Sequence, residues 1–275
     1  MYATNFEYAG EKLSDYGMMI CDFDSSGGIE TVSSGSDITF NQIALNRGSR
    51  FFIGSSTYES PLTTTFKICK NHCAVKPQDE MAISSAEITA LQRWLCRKNQ
   101  YHKFKIDQEG FEYIYWNATF SAKQIELNGK IIGMELTLYA DAPFAYMDEI
   151  TIVEDCSSEN QFTFDLYDIS DEEGFIYPDM KIKILESGDF RLENNLDKES
   201  TGKFLLIKNC VKDELITING KSHIIYSSMH PNMSNDFNYC FPRIINSYTE
   251  NKNTFTSNIA CNITISYSPI RKVGF

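Results

Sequence analysis

The chain has few of the features that announce chemistry. It contains no G-x-S-x-G elbow, no G-x-x-x-x-G-K-S/T loop, no H-E-x-x-H and no G-x-G-x-x-G. The common nucleophile, phosphate, zinc-protease and dinucleotide signatures are therefore missing. Positive charge is scarce: 25 Lys and Arg stand against 37 Asp and Glu, a net charge of −12. No basic cluster along the chain suits phosphate neutralisation, which argues against sequence-specific nucleic-acid binding. No apolar run reaches the about 18–20 residues of a membrane-spanning helix. The opening "MYATNFEYAGEKLSDYG" has neither a basic leader nor an apolar stretch. The expectation is a chain that stays in the cytosol or leaves by a route that needs no signal.

Clustered metal ligands are also lacking. The eight cysteines, Cys21, Cys69, Cys73, Cys96, Cys156, Cys210, Cys240 and Cys261, are scattered, most of them inside apolar patterns. They read as reduced thiols behaving as small hydrophobes. The close pair Cys69 and Cys73, with His72 between, has no second Cys/His cluster to complete a zinc site. His72, His102, His223 and His230 fall in no nucleophile or metal pattern, and no metal or cofactor is assigned. Acid concentrates in residues 148–180, which hold eleven Asp and Glu and no Lys or Arg. Counted as an EF-hand from Asp168, position six is Glu173, and the glycine comes one residue late. A solvated acidic loop is the better reading. Paired acids exist, but they cluster in a loop and sequence alone does not set two of them across one cleft; with no site motif the chain reads as a non-enzyme. A glycoside hydrolase would need two acids, such as Asp165 or Asp168, in one cleft.

What is present is β pattern. Hydrophobic residues make up 42% and aromatics 13%, ample for packed cores. Asn128-Gly129 predicts a type I′ hairpin, with Ile125 and Leu127 apolar before the turn. After it, Ile132, Met134, Leu136, Leu138 and Ala140 share one face, and Gly133, Glu135, Thr137 and Tyr139 the other. Pro143 ends that strand and, with it, a domain. One helix is predicted from "SSAEITALQRWLCRKN". Ser84 and Glu87 form a capping box, Ile88, Leu91 and Leu95 make the buried stripe, and Arg97 and Lys98 sit in the last turn. Ser25–Gly28 and Ser33–Ser36 punctuate short strands, and residues 47–65 read as a long exposed hairpin or loop. Later strands place Met180, Ile182 and Ile184 on one face, and Ile259, Cys261, Ile263, Ile265 and Tyr267 on another. A second Asn-Gly turn is expected at Asn219-Gly220, and Pro242 marks an edge or turn. Trp116 and Tyr226 read as packing aromatics. The expected organisation is two β-domains, 1–147 and 148–275, the first a sandwich with one helix, the second an antiparallel sandwich.

The order of these features resembles the distal tail proteins of long-tailed bacteriophages. The resemblance is carried by "FEYAGEKLSDYGMMICDFD", "EITALQRWLCRKNQYHKFKID", "GMELTLYADAPFAY", "IYPDMKIKI", "LITINGKSHIIYSS", "CFPRIIN" and "ITISYSPIRK". The family often has a G-x-N after the Pro-aromatic turn, where this chain offers Asn246 and no glycine. The resemblance implies a tail-tube-like first domain and a galectin-like second one. It further implies a non-enzymatic hexameric ring at the tail end, a virion component assembled in the bacterial cytoplasm. The implied partners are sister copies, the tail tube protein, the tail-tip hub with its lysin, and receptor-binding proteins. The resemblance also implies a lumen open to DNA without specific binding, no membrane contact and no cofactor. Strand 131–140 would meet a neighbour or line the lumen, and residues 47–65 would form an arm. The candidate interface residues are thus Arg50, Phe51, Phe52, Tyr58, Glu135, Thr137 and Tyr139. A carbohydrate-binding sandwich acting in host-surface recognition is the alternative.

Overall fold

The computed structural model describes residues 3–23, 36–44, 52–71, 81–157, 162–197 and 204–273. It is mainly β, as the alternation predicts, and divides into two compact units. One comprises Met1–Met147 with Arg271–Phe275, and the other is Asp148–Ile270. The chain end therefore returns to the first unit instead of closing the second, and Val273 packs on the first unit's core.

The first unit is built around the predicted hairpin. Strand Ile114–Leu127 pairs antiparallel with Lys130–Ala140. Asn128 and Gly129 join them with φ of 50° and 74°, the left-handed pair a type I′ turn requires. Met134, Leu136, Leu138 and Ala140 are buried, whereas Glu135, Thr137 and Tyr139 point the other way. Near the turn the expected order fails. A bulge shifts the register between Ile125 and Glu126, and Leu127 is exposed. The tip reaches past the apolar layer, so alternation there has nothing to sort against.

Other strands extend the sheet on both sides. Ile114–Leu127 pairs with His102–Ile106, followed by Phe6–Tyr8 and the two-residue strand Glu11–Lys12. Lys130–Ala140 pairs with Thr63–Lys70, followed by Met18–Cys21. One sheet face buries Phe6, Tyr8, Phe66, Phe104, Trp116, Phe120 and Leu136 in a single cluster with the helix Ser85–Leu95.

That helix begins as predicted. The Ser84 side chain accepts from Glu87 N–H, and the Glu87 carboxylate accepts from Ser84 N–H at 2.7 Å. Burial works against the Glu87 charge. The hydrogen bonds from Ser84 and the Lys70 ammonium, 3.0 Å away, outweigh it and hold the carboxyl below its usual range. Ile88, Leu91 and Leu95 are buried, joined by Trp94. The Trp94 indole stacks on Tyr16 at 4.5 Å and on Phe6 at 5.7 Å, and its Nε1–H donates to the Tyr8 carbonyl at 2.9 Å. The helix ends at Leu95, one turn earlier than the charge pattern suggests. Arg97 lies beyond it, and its Nε–H donates to the Trp94 carbonyl at 3.0 Å, occupying one of the open end groups.

The second unit is an antiparallel sandwich. Its five-stranded sheet runs Ile150–Cys156, Cys261–Tyr267, Asp179–Ile184, Leu215–Asn219, Ile224–Ser227. Its four-stranded sheet runs Thr163–Tyr167, Lys252–Ser257, Gly188–Asn194, Phe204–Cys210. Met180, Ile182, Ile184, Cys261, Ile263, Ile265 and Tyr267 face inward as predicted, against Phe190, Leu192, Leu205, Ile207 and Phe255. Ile244–Asn246, after Pro242, forms only a short pair with Gly174–Ile176. The second Asn-Gly turn differs from expectation. Asn219 pairs with Ile224, leaving a four-residue loop, and the positive φ falls on His223. Gly220 serves packing instead: a Cβ there would stand 2.1 Å from the Tyr177 carbonyl oxygen.

Both tryptophans lie in the first unit, so intrinsic fluorescence reports on it. Leu91→Ala should lower the stability of that unit by about 2–5 kcal/mol, read as an earlier fluorescence transition in denaturant.

Candidate assembly interface

The described part of residues 47–65 is divided between two sheets. Strand Ile38–Ala44 pairs with Phe52–Tyr58 in a two-stranded sheet of its own, from Ile38 opposite Tyr58 to Ala44 opposite Phe52. The hairpin thus begins earlier than the sequence suggests, and Thr63–Thr65 belong to the main sheet. Arg50 and Phe51 lie outside the described residues, as do Ser25–Gly28, most of Ser33–Ser36, His72 and Cys73. Phe52 begins the second strand and Tyr58 ends it, with the Tyr58 ring edge-on to Phe144 at 6.5 Å. Ile38, Phe40 and Ile43 are 50%, 71% and 68% exposed, which leaves apolar surface on the first strand unmatched. Each strand pairs only with the other among the described residues, so both outer borders keep open backbone groups. A lone two-stranded hairpin is marginally stable in water. A covering partner would remedy both defects.

Glu135, Thr137 and Tyr139 sit elsewhere, on the sheet face opposite the core. The Thr137 hydroxyl is 3.3 Å from that of Thr65, and Glu135 accepts from Lys123 Nζ at 3.3 Å. Tyr139 is 44% exposed. Strand register brings Lys12, Lys67, Lys103, Lys105 and Lys123 to this same face, with Glu7 and Glu135. The sequence shows no basic cluster because four separate strands each contribute one or two of these lysines. The fold assembles a basic face on an acidic chain.

The strand Lys130–Ala140 has neighbours on both sides, so it offers no backbone edge to another copy. The main sheet ends instead in the two-residue Glu11–Lys12 and in Met18–Cys21, where Ile20 N–H is already taken by the Thr4 carbonyl at 2.9 Å. Among the described residues of this unit, the longer strand borders without a strand partner are those of the small hairpin. In the second unit, the terminal strand Ile224–Ser227 carries exposed Ile224 and Tyr226, and the opposite terminal strand carries exposed Val153. Tyr226 is 65% exposed and stands opposite Thr217, so it is not a core residue, while Trp116 is fully buried.

Asp165 and Asp168, the acids named for a hydrolase, sit in different surroundings. Asp165 is exposed and bonded to Lys252 at 2.9 Å and Thr254 at 2.8 Å, contacts that hold its carboxyl below the usual range. Asp168 is buried and accepts from the Ser170 hydroxyl at 2.9 Å and from Asn246 Nδ2 at 3.1 Å. Its oxygens bond within the loop and to Asn246.

Two family models cover the chain. One, described as "Phage tail protein N-terminal domain", matches residues 1–142, and the other, "Phage tail C-terminal domain", matches residues 144–267. The chain belongs to this family of phage tail proteins. The matched spans meet at Pro143, where the long strand of this tail protein has ended. Among solved structures, the tail protein is similar to SPP1 Dit (gp 19.1), titled a paradigm of the hub adsorption apparatus in Gram-positive infecting phages. The TM-score is 0.63 at 10% identity, covering 98% of this chain and 99% of that one. The Dit fold is thus shared over nearly the whole length, with almost no sequence in common. No curated protein matches by sequence.

Because Phe40 and Ile43 rest against little of their own chain, Phe40→Ser and Ile43→Ser should each change the unfolding free energy by less than about 0.5 kcal/mol. Both should reduce binding of an apolar fluorescent dye.

Proposed function

We propose that this phage tail protein is a non-catalytic adaptor. Six copies close into a ring at the distal end of the tail, between the tube and the tip hub with its receptor-binding proteins. The carrying observation is the Ile38–Tyr58 hairpin, a separate pair of strands with exposed Ile38, Phe40 and Ile43 and open borders. A hairpin of this kind gains stability when a neighbouring copy covers it. Repeated head to tail, one such heterologous contact closes a ring. The Dit fold across the whole chain supports the same reading.

The face bearing Glu135, Thr137 and Tyr139 is the second assembly surface. Its lysines and hydroxyls suit a wet boundary, either toward a neighbour or toward an opening through which DNA passes. Asp148–Ile270 serves as a galectin-like docking sandwich, offering exposed Tyr226 and Ile224 on one terminal strand. The virion is then its final location, reached by assembly in the host cytoplasm.

Light scattering after size exclusion, run across a concentration series, tests the ring. The 31.4 kDa chain should shift toward about six times its mass as concentration rises, with closed rings in negative stain. The Phe40→Ser, Ile43→Ser double variant should remain monomeric at concentrations where the native chain forms rings. A native chain that stays monomeric throughout, or rings that the double variant leaves unchanged, would overturn the proposal.

A further inference from the structure

Beyond the assembly surfaces, the second unit gathers a mixed set of donors that sequence spacing hides. Strand Phe204–Cys210 ends in buried Cys210, and the tight turn after it brings Glu214, fully buried, back beside it. Strand Ile224–Ser227 then leads to His230, whose side chain is 1% exposed. A ligand atom from each of Cys210, Glu214 and His230 lies within 4.8 Å of the others. The thiol, the carboxylate and the imidazole come from two stretches of chain separated by a β-hairpin.

The surrounding bonds fix these side chains in place. His230 Nδ1 is 3.1 Å from Glu214 Oε1, and Nε2 is 3.0 Å from Asp236 Oδ2. Asp236 in turn accepts from Asn209 Nδ2 at 3.3 Å. The other Glu214 oxygen accepts from Val211 N–H at 2.9 Å, and Oε1 also accepts from the Ser227 hydroxyl. Among the described residues, the basic partner of both carboxylates is His230 alone. The Cys210, Glu214 and His230 side chains are shielded from water and Asp236 is 21% exposed at the rim; a thiol, an imidazole and two carboxylates gathered this way favour a bound divalent cation.

The donor types choose among cations. Magnesium and calcium select oxygen sets, whereas sulfur, nitrogen and oxygen together suit zinc. Around tetrahedral zinc, with bonds of about 2.0–2.3 Å, ligand atoms stand roughly 3–4 Å apart; His230 Nδ1 and Glu214 Oε1 are 3.1 Å apart, and all three ligand atoms lie within 4.8 Å of one another. A histidine ligand that gives its second nitrogen to a carboxylate is the usual supporting arrangement, and Asp236 stands where that carboxylate belongs. We propose that Cys210, Glu214 and His230 bind a structural zinc ion, with Asp236 orienting His230, and that the ion ties the loop after Ser227 to the end of strand Phe204–Cys210. The proposal is independent of ring formation.

Full-length protein is incubated with zinc chloride, desalted, analysed for metal by mass spectrometry and melted with and without chelator. The native chain should keep about one zinc that depends on Cys210, and should melt higher with zinc than after chelation. Cys210→Ser leaves the His230–carboxylate bonds in place and should lose both the ion and the zinc-dependent rise. His230→Gln should do the same. Should that variant fail to fold, cobalt substitution decides: the native protein should show a thiolate-to-cobalt charge-transfer band that Cys210→Ser lacks. A native chain that retains no zinc and melts the same with chelator overturns the site. Zinc retained in full by Cys210→Ser overturns it as well, because the ion is then held elsewhere.

Discussion

The pairing of Ile114–Leu127 with Lys130–Ala140 organises the first unit. The left-handed Asn128-Gly129 turn starts it, and the register it sets decides which side chains meet the helix and which meet solvent. Once Leu136 and Leu138 face inward, their partners Ala122 and Phe120 must as well. The remaining strands inherit this choice through the ladder. The Trp94 indole then fastens the helix by two stacked rings and one hydrogen bond to Tyr8.

A large sheet must also dispose of its ends. Here the main sheet shrinks to two residues at Glu11–Lys12 and covers Ile20 with Thr4 at the other end, so it does not invite another chain. Open backbone and bare apolar side chains are concentrated instead in the hairpin of Ile38–Ala44 and Phe52–Tyr58. Keeping the ends of the main sheet short or covered guards against uncontrolled strand pairing.

The second unit relies on buried amides where strands are short. Asn253, fully buried, accepts from Asn194 Nδ2 at 2.7 Å and from Ile245 N–H at 2.7 Å, and donates to the Ile245 carbonyl at 2.9 Å. These bonds hold Ile244–Asn246 in place without a wide ladder. Asn246 donates to Asp168 and to the Ser170 carbonyl, which anchors the acidic loop.

By itself the sequence determined the β class, the first hairpin turn, the capped helix and its stripe, and the inward faces of Met180 to Ile184 and Cys261 to Tyr267. Each of these depends on residues a few positions apart, so local periodicity and turn chemistry carry them. Tertiary structure alone decided the rest. The bulge at Ile125 exposed Leu127, and the chain end returned to the first unit. The basic face joins Lys12, Lys67, Lys103, Lys105 and Lys123 from separate strands, and the thiol, carboxylate and imidazole of Cys210, Glu214 and His230 meet across a hairpin. Such groupings depend on strand order and register between distant segments, which the spacing of residues along one strand does not encode.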